Sequence, residues 1–150
     1  MSISGFVVRN VVRGGGAVGL SAGLLGLFGA SLAHAADAPP PYKIDIVAAP
    51  AQKGKAATAT VKIIAATSYH MNKDFPTSLT LTPPAGVTVE KPKLTGGDVK
   101  LDEHAAVFTV SYTPAEAGKK EIPGDLKFAV CTVDACFPQK AKIGIPTTTK

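Results

Sequence analysis

Beyond residue 41 the chain is dominated by apolar and polar positions that alternate, with almost no stretch at helical spacing. Tyr42 to Val47 sets Ile44 and Ile46 on one face, and Ala57 to Ala66 is a β-type run of Ala, Thr, Val and Ile. Ser78 to Leu81 and Gly86 to Glu90 read as short strands about the turn Pro83-Pro84-Ala85-Gly86. Ala106 to Tyr112 alternates again, and Ala117-Gly118 marks the turn that follows. Lys119 to Ile122, Asp125 to Cys131 and Lys140 to Pro146 complete the set, with Pro123-Gly124 separating the first of these from the second. About seven to nine short strands, punctuated by Gly and Pro every ~8 to 12 residues, predict an all-β sandwich. No internal repeat or low-complexity tract interrupts them.

The N-terminus follows a different pattern. Arg9 and Arg13 precede an uncharged, Gly- and Leu-rich run from Ala17 to Leu32, and Ala33-His34-Ala35 places small residues at both positions that govern cleavage. This is the pattern of a secretory signal peptide, expected to be cut after Ala35. The rival is an uncleaved anchor, since the run approaches the ~18 to 20 residues a membrane helix needs; its Gly and Ser interruptions and the adjacent cleavage site favour removal. Residues 36–41 form a Pro-rich lead-in, and residues 42–150 are expected to make one domain. No second apolar span exists, so a periplasmic or secreted protein without a membrane span is expected.

Composition narrows the function classes. An apolar fraction of 45% and a net charge of +5 belong to a folding chain, and two cysteines are too few for a disulfide-dense scaffold or an all-cysteine zinc site. Without Arg9 and Arg13 the 16 basic residues become 14 against 11 acidic ones, a net of +3, with the lysines scattered. A nucleic-acid partner is therefore not expected. Phosphate-cradling glycine loops, Ser/His/Asp arrangements and paired catalytic carboxylates are not evident, and no cofactor is implied. In an exported compartment, however, a disulfide forms and persists.

Cys131 and Cys136 carry the candidate chemistry. An antibody-like staple needs distant cysteines bracketing a Trp; here they are five positions apart and Trp is absent. Alternation puts Leu126, Phe128 and Val130 on one face and Lys127, Ala129 and Cys131 on the other; beyond the gap, Phe137, Ala141, Ile143 and Ile145 share one parity, Cys136, Lys140 and Lys142 the opposite one. If Thr132 to Ala135 form a four-residue loop, Cys131 faces Cys136, Val130 faces Phe137 and Lys127 faces Lys140. Both apolar rows, Phe137 included, then face the core and both cysteines face away from it. Cross-strand neighbours lie ~4.5 to 5.5 Å apart between Cα atoms, within reach of a disulfide. Closing so short a loop stabilises by only about 2 kcal/mol, which leaves redox chemistry and simple hairpin closure both open.

Thiol exchange needs an accessible thiolate and a second thiol to resolve the mixed disulfide. Lys127 and Lys140, flanking the pair, would favour a thiolate, and Asp134 in the loop would oppose it. A soft Cu(I) site joining His70 and Met71 to the cysteines is a further reading, against which His70 reads as a strand-end residue and Met71 as core packing. His104, in the acidic turn Asp102-Glu103-His104, reads as solvated.

Three stretches taken together carry a resemblance: Tyr69-His70-Met71-Asn72-Lys73-Asp74-Phe75-Pro76-Thr77-Ser78-Leu79-Thr80-Leu81, then Pro84-Ala85-Gly86-Val87, then Leu126 to Cys131 with Cys136-Phe137-Pro138. They resemble the N-terminal periplasmic domain of the DsbD thiol:disulfide interchange reductases, over roughly Tyr42 to Ile145. The resemblance implies an immunoglobulin-like sandwich in which Cys131 and Cys136 are the catalytic redox pair, Cys136 attacking the partner. The implied partners are periplasmic thioredoxin-like proteins and a separate membrane thiol reductase that supplies the electrons. Best-known members have five residues between the cysteines where this chain has four. They often cap the pair with an aromatic from a segment that here, roughly Lys91 to His104, has none; Phe75 is the candidate substitute. The readings that compete with exchange are a non-catalytic immunoglobulin-like binding module with a structural disulfide, and a Cu(I)-binding protein.

Overall fold

The computed structural model describes residues 40–150. The signal-peptide reading for residues 1–35, and most of the lead-in, lie outside the described residues. Within the described residues ten strands form: β1 (Tyr42–Ala48), β2 (Ala57–Ala65), β3 (His70–Met71), β4 (Ser78–Leu81), β5 (Val87–Val89), β6 (Lys93–Thr95), β7 (Val99–Leu101), β8 (Ala105–Pro114), β9 (Gly118–Cys131) and β10 (Cys136–Thr149). A 3-10 turn, Gly96–Asp98, joins β6 to β7.

Two antiparallel sheets result, giving an all-β sandwich architecture. The first runs β1-β2-β8-β5, with β7 also on β8; the second runs β10-β9-β4-β6, with β3 on β9. The core lies between them. Alternation on β2 and β8 turns Val61, Ile63, Phe108, Val110 and Tyr112 inward, where they meet Leu79, Leu81, Ile122, Leu126, Phe128, Val130 and Ile145 of the second sheet. The Phe128 ring stands edge-on to Tyr42 of the first sheet at 4.8 Å. Each such side chain contributes about 1.5 to 3 kcal/mol relative to exposure.

Three expectations are corrected. Pro123-Gly124 does not divide two strands, since β9 runs unbroken through it. The Pro123 carbonyl accepts from Thr82 N, just past the end of β4, so the missing proline N–H faces that side and costs no bond to β10. Gly124 lies where a Cβ would meet Leu79, Ile143 and Leu81 at 3.0 to 3.2 Å, so a side chain there would have to push these neighbours aside. The last strand is longer than Lys140 to Pro146, beginning at Cys136 and ending at Thr149. Finally, Phe137 holds the expected parity but is 42% exposed. It lies on an edge strand beside the loop, and its ring meets Tyr69 edge-on at 6.4 Å.

Candidate functional site

The β9–β10 register is the one alternation predicts: Cys131 opposite Cys136, Val130 opposite Phe137, Lys127 opposite Lys140. Cys131 and Cys136 form a disulfide with Cα atoms 4.0 Å apart. Between them Thr132–Ala135 closes on itself. Thr132 N donates to Ala135 O at 2.8 Å, and Thr132 Oγ1 accepts from Asp134 N and Ala135 N at 3.3 and 3.2 Å. Threonine's short hydroxyl thus satisfies the backbone of a four-residue loop that carries no glycine. Val133, at its tip, is 97% exposed.

The two sulfurs are not equivalent. Cys131 belongs to an inner strand and is only 2% exposed, whereas Cys136 begins the edge strand and is exposed. The expectation that both face openly away from the core holds for parity but not for access. On the far flank of Cys131, β3 pairs His70 with Cys131 and Met71 with Val130. The chain then continues past Ala129, whose carbonyl accepts from Asn72 N at 3.0 Å. Asn72 therefore shares the outer face with Ala129 and the bridge. Its side chain crosses that face: Nδ2 donates to Cys136 Sγ at 3.5 Å, while Oδ1 accepts from Asp74 N and Phe75 N at 2.9 and 3.1 Å.

A groove of about 410 Å³ opens beside the bridge, lined by His70, Asn72, Lys73, Asp74, Glu103 and Cys136 among others. Its wall is anchored from the β7–β8 turn. Glu103 O accepts from Met71 N at 2.8 Å, and Asp102 Oδ1 accepts from His104 N and Ala105 N at 2.8 and 2.7 Å. These two N–H donors hold the Asp102 carboxyl below its ordinary range. His104 is exposed in this turn, as expected.

The other residues that the amino-acid pattern singles out fall differently. Phe75 does not cap the bridge; it borders a separate cavity with Pro76, Thr77, Val99 and Leu101. The covering role goes to Asn72, a residue present in the sequence motif but given no task there. Its signal is the Asn-x-Asp pattern of an Asx turn following a strand. Lys127 and Lys140 share the cysteines' face but lie four residues along each strand, about 13 Å away and beyond a Debye length at 0.1 M salt. They cannot act as close partners of a thiolate. His70, Met71, Cys131 and Cys136 border the same groove, but Met71 is buried in the core on the opposite strand face from His70 and the two sulfurs are joined in the disulfide, so the four do not present a shared set of free Cu(I) ligands. Among the described residues no group of three or more His, Cys, Asp or Glu is placed to hold a metal ion, and no helix is long and apolar enough to cross a membrane.

No family model matches the chain, and no curated protein matches it. Among solved structures it is similar to AggA, the major subunit of aggregative adherence fimbriae type I from Escherichia coli, with 11% identity over 73% of this chain and 95% of that one and a TM-score of 0.36. It is also similar to a PapD-like domain of human CEP192, with 8% identity over 80% of this chain and 96% of that one and a TM-score of 0.39. Neither likeness bears on function.

Proposed function

We propose that the chain is an exported, non-catalytic immunoglobulin-like module that meets a protein partner with the loop end of the β9–β10 hairpin, the disulfide holding that end in shape. The observation that carries this reading is the concentration of exposed apolar side chains there. Of the three large hydrophobic residues exposed among the described residues, Val133 and Phe137 both belong to this end, on either side of Cys136. An apolar tip fixed by a covalent bridge loses little conformational freedom on docking. Export rests on the N-terminal sequence pattern.

A second reading, thiol-disulfide exchange, is favoured by the inequality of the two sulfurs and draws on the DsbD resemblance. A dithiol of a membrane reductase would attack the exposed Cys136 Sγ, breaking the S–S bond and releasing Cys131 as thiolate. The reductase's second thiol would then free Cys136, leaving the module as a dithiol and the reductase as a disulfide. In the return step the Cys136 thiolate would attack the disulfide of an oxidised thioredoxin-like protein, and Cys131 would resolve the mixed disulfide. The Asn72 amide would stabilise charge on Cys136.

The reduction potential of the purified protein decides between them. A value below about −300 mV is expected of a bridge that only closes the hairpin. A less negative value, with exchange against a thioredoxin-type dithiol, would overturn the structural role and establish the second reading.

A further inference from the structure

The outer face of the second sheet carries an arrangement that the fold does not need. Across its strands one ladder row reads Lys142, Asp125, Thr80, Lys93, and the next reads Lys140, Lys127, Ser78, Thr95. All four lysines are exposed. Asp125, the one acid in these rows, is engaged by Lys142 at 3.3 Å. Among the described residues neither Lys127, Lys140 nor Lys93 has a carboxylate at ion-pair distance. Lys127 and Lys140 are moreover direct cross-strand neighbours, a placement in which like charges destabilise the sheet. A local conflict of this kind, without compensation inside the molecule, is expected where a surface serves a partner.

The same rows border a shallow groove of about 610 Å³ lined by Thr80, Asp125, Leu126, Lys127, Lys140, Ala141 and Lys142, its one carboxylate, Asp125, being the one that Lys142 engages. It lies on the face that carries Cys136 and Asn72, two same-face steps along the strands. We infer that this groove docks a carboxylate-rich surface of a protein partner, whose body then reaches the bridge and the hairpin tip. Charge complementarity selects the occupant: a partner carboxylate between Lys127 and Lys140 would cancel the repulsion the free domain retains. A lipid surface suits the face less well, because its outward side chains are Lys, Ser, Thr and Asp, with no large apolar group to enter a bilayer.

The inference deepens the docking reading and rests on it. A fluorescein-labelled oligo-glutamate peptide, titrated into the purified full-length protein and followed by anisotropy at low and moderate salt, tests it. Wild-type protein is expected to bind, and added salt to weaken binding. The double variant Lys127→Ser with Lys140→Ser is expected to lose about tenfold, as two exposed ion pairs would give. Lys43→Ser with Lys62→Ser, on the outer face of the first sheet, is expected to change binding less than about twofold. The Lys127/Lys140 double variant should also melt no lower than wild type, since it removes a repulsion. Equal weakening by both doubles, or no binding by wild type, would overturn the inference. So would capture of phosphatidylglycerol vesicles without the peptide, which would make the face a membrane contact. The structural role of the bridge is tested separately by its potential, which does not depend on Lys127 or Lys140, so failure of peptide binding would fall on this inference and leave that role standing.

Discussion

The two ends of the β9–β10 hairpin are secured by different forces. At the open end Ile122 and Ile145 face each other in the core, and Thr147 Oγ1 donates to Lys120 O at 3.0 Å. There the segment after β1 also laces onto the strand, Ala51 N donating to Thr148 O at 2.8 Å and Lys150 N to Ala51 O at 2.9 Å. At the loop end Val133 and Phe137 are exposed, and what is added to the strand ladder is a covalent bond, one asparagine and the edge-on contact of Phe137 with Tyr69. Burial secures an end by closing it, whereas a short disulfide secures an end while leaving its surface available to a partner.

This contrast orders the expected effects. Ile145→Ala should be the most damaging, about 2 to 5 kcal/mol by denaturant unfolding, because it empties a fully enclosed site; a loss under about 1 kcal/mol would break the contrast. Replacing both cysteines, Cys131→Ala with Cys136→Ala, should cost about 2 kcal/mol, the closure entropy of a short loop. If it cost more than Ile145→Ala, the loop end would be the better secured of the two.

Asn72→Ala should cost about 1 kcal/mol, because the N–H groups of Asp74 and Phe75 lose their acceptor. Unfolding measured with the bridge intact and in the cysteine-free background separates that turn from the contact to Cys136. The smallest effect concerns pH. Hydrogen bonds from His104 N and Ala105 N depress the Asp102 carboxyl, so its stabilisation is present above the unfolded-state value of about 3.9 and is lost as pH falls through the lower folded value. Asp102→Asn should flatten that part of the acid limb in urea midpoints taken against pH. An unchanged limb would remove Asp102 from the support of β3.

What the sequence makes legible follows the same division. The pairing of Cys131 with Cys136 and of Lys127 with Lys140 is readable because side-chain parity has only two values and a four-residue loop fixes the register. Strands β3, β6 and β7 are not readable, since segments of two or three residues show no period and these, unlike β5, have no Pro-Pro-Ala-Gly turn to mark where they begin. The flanking of Cys131 by β3 and the contact of Asn72 with Cys136 come from a distant segment, and alternation along β9 holds no trace of them. Phe137 misleads for the opposite reason: parity assigns it a face but does not say whether anything covers that face. Pro123 misleads because a proline breaks a strand only where its missing N–H is needed.

The inequality of the two sulfurs is central to the geometry of the bridge, whichever of its two readings holds. It can be measured directly by reducing the native protein, pulsing with iodoacetamide and locating the label by peptide mass spectrometry. Cys136 is expected to be alkylated first and Cys131 to remain protected while the fold persists. Equal labelling, or earlier labelling of Cys131, would contradict the account.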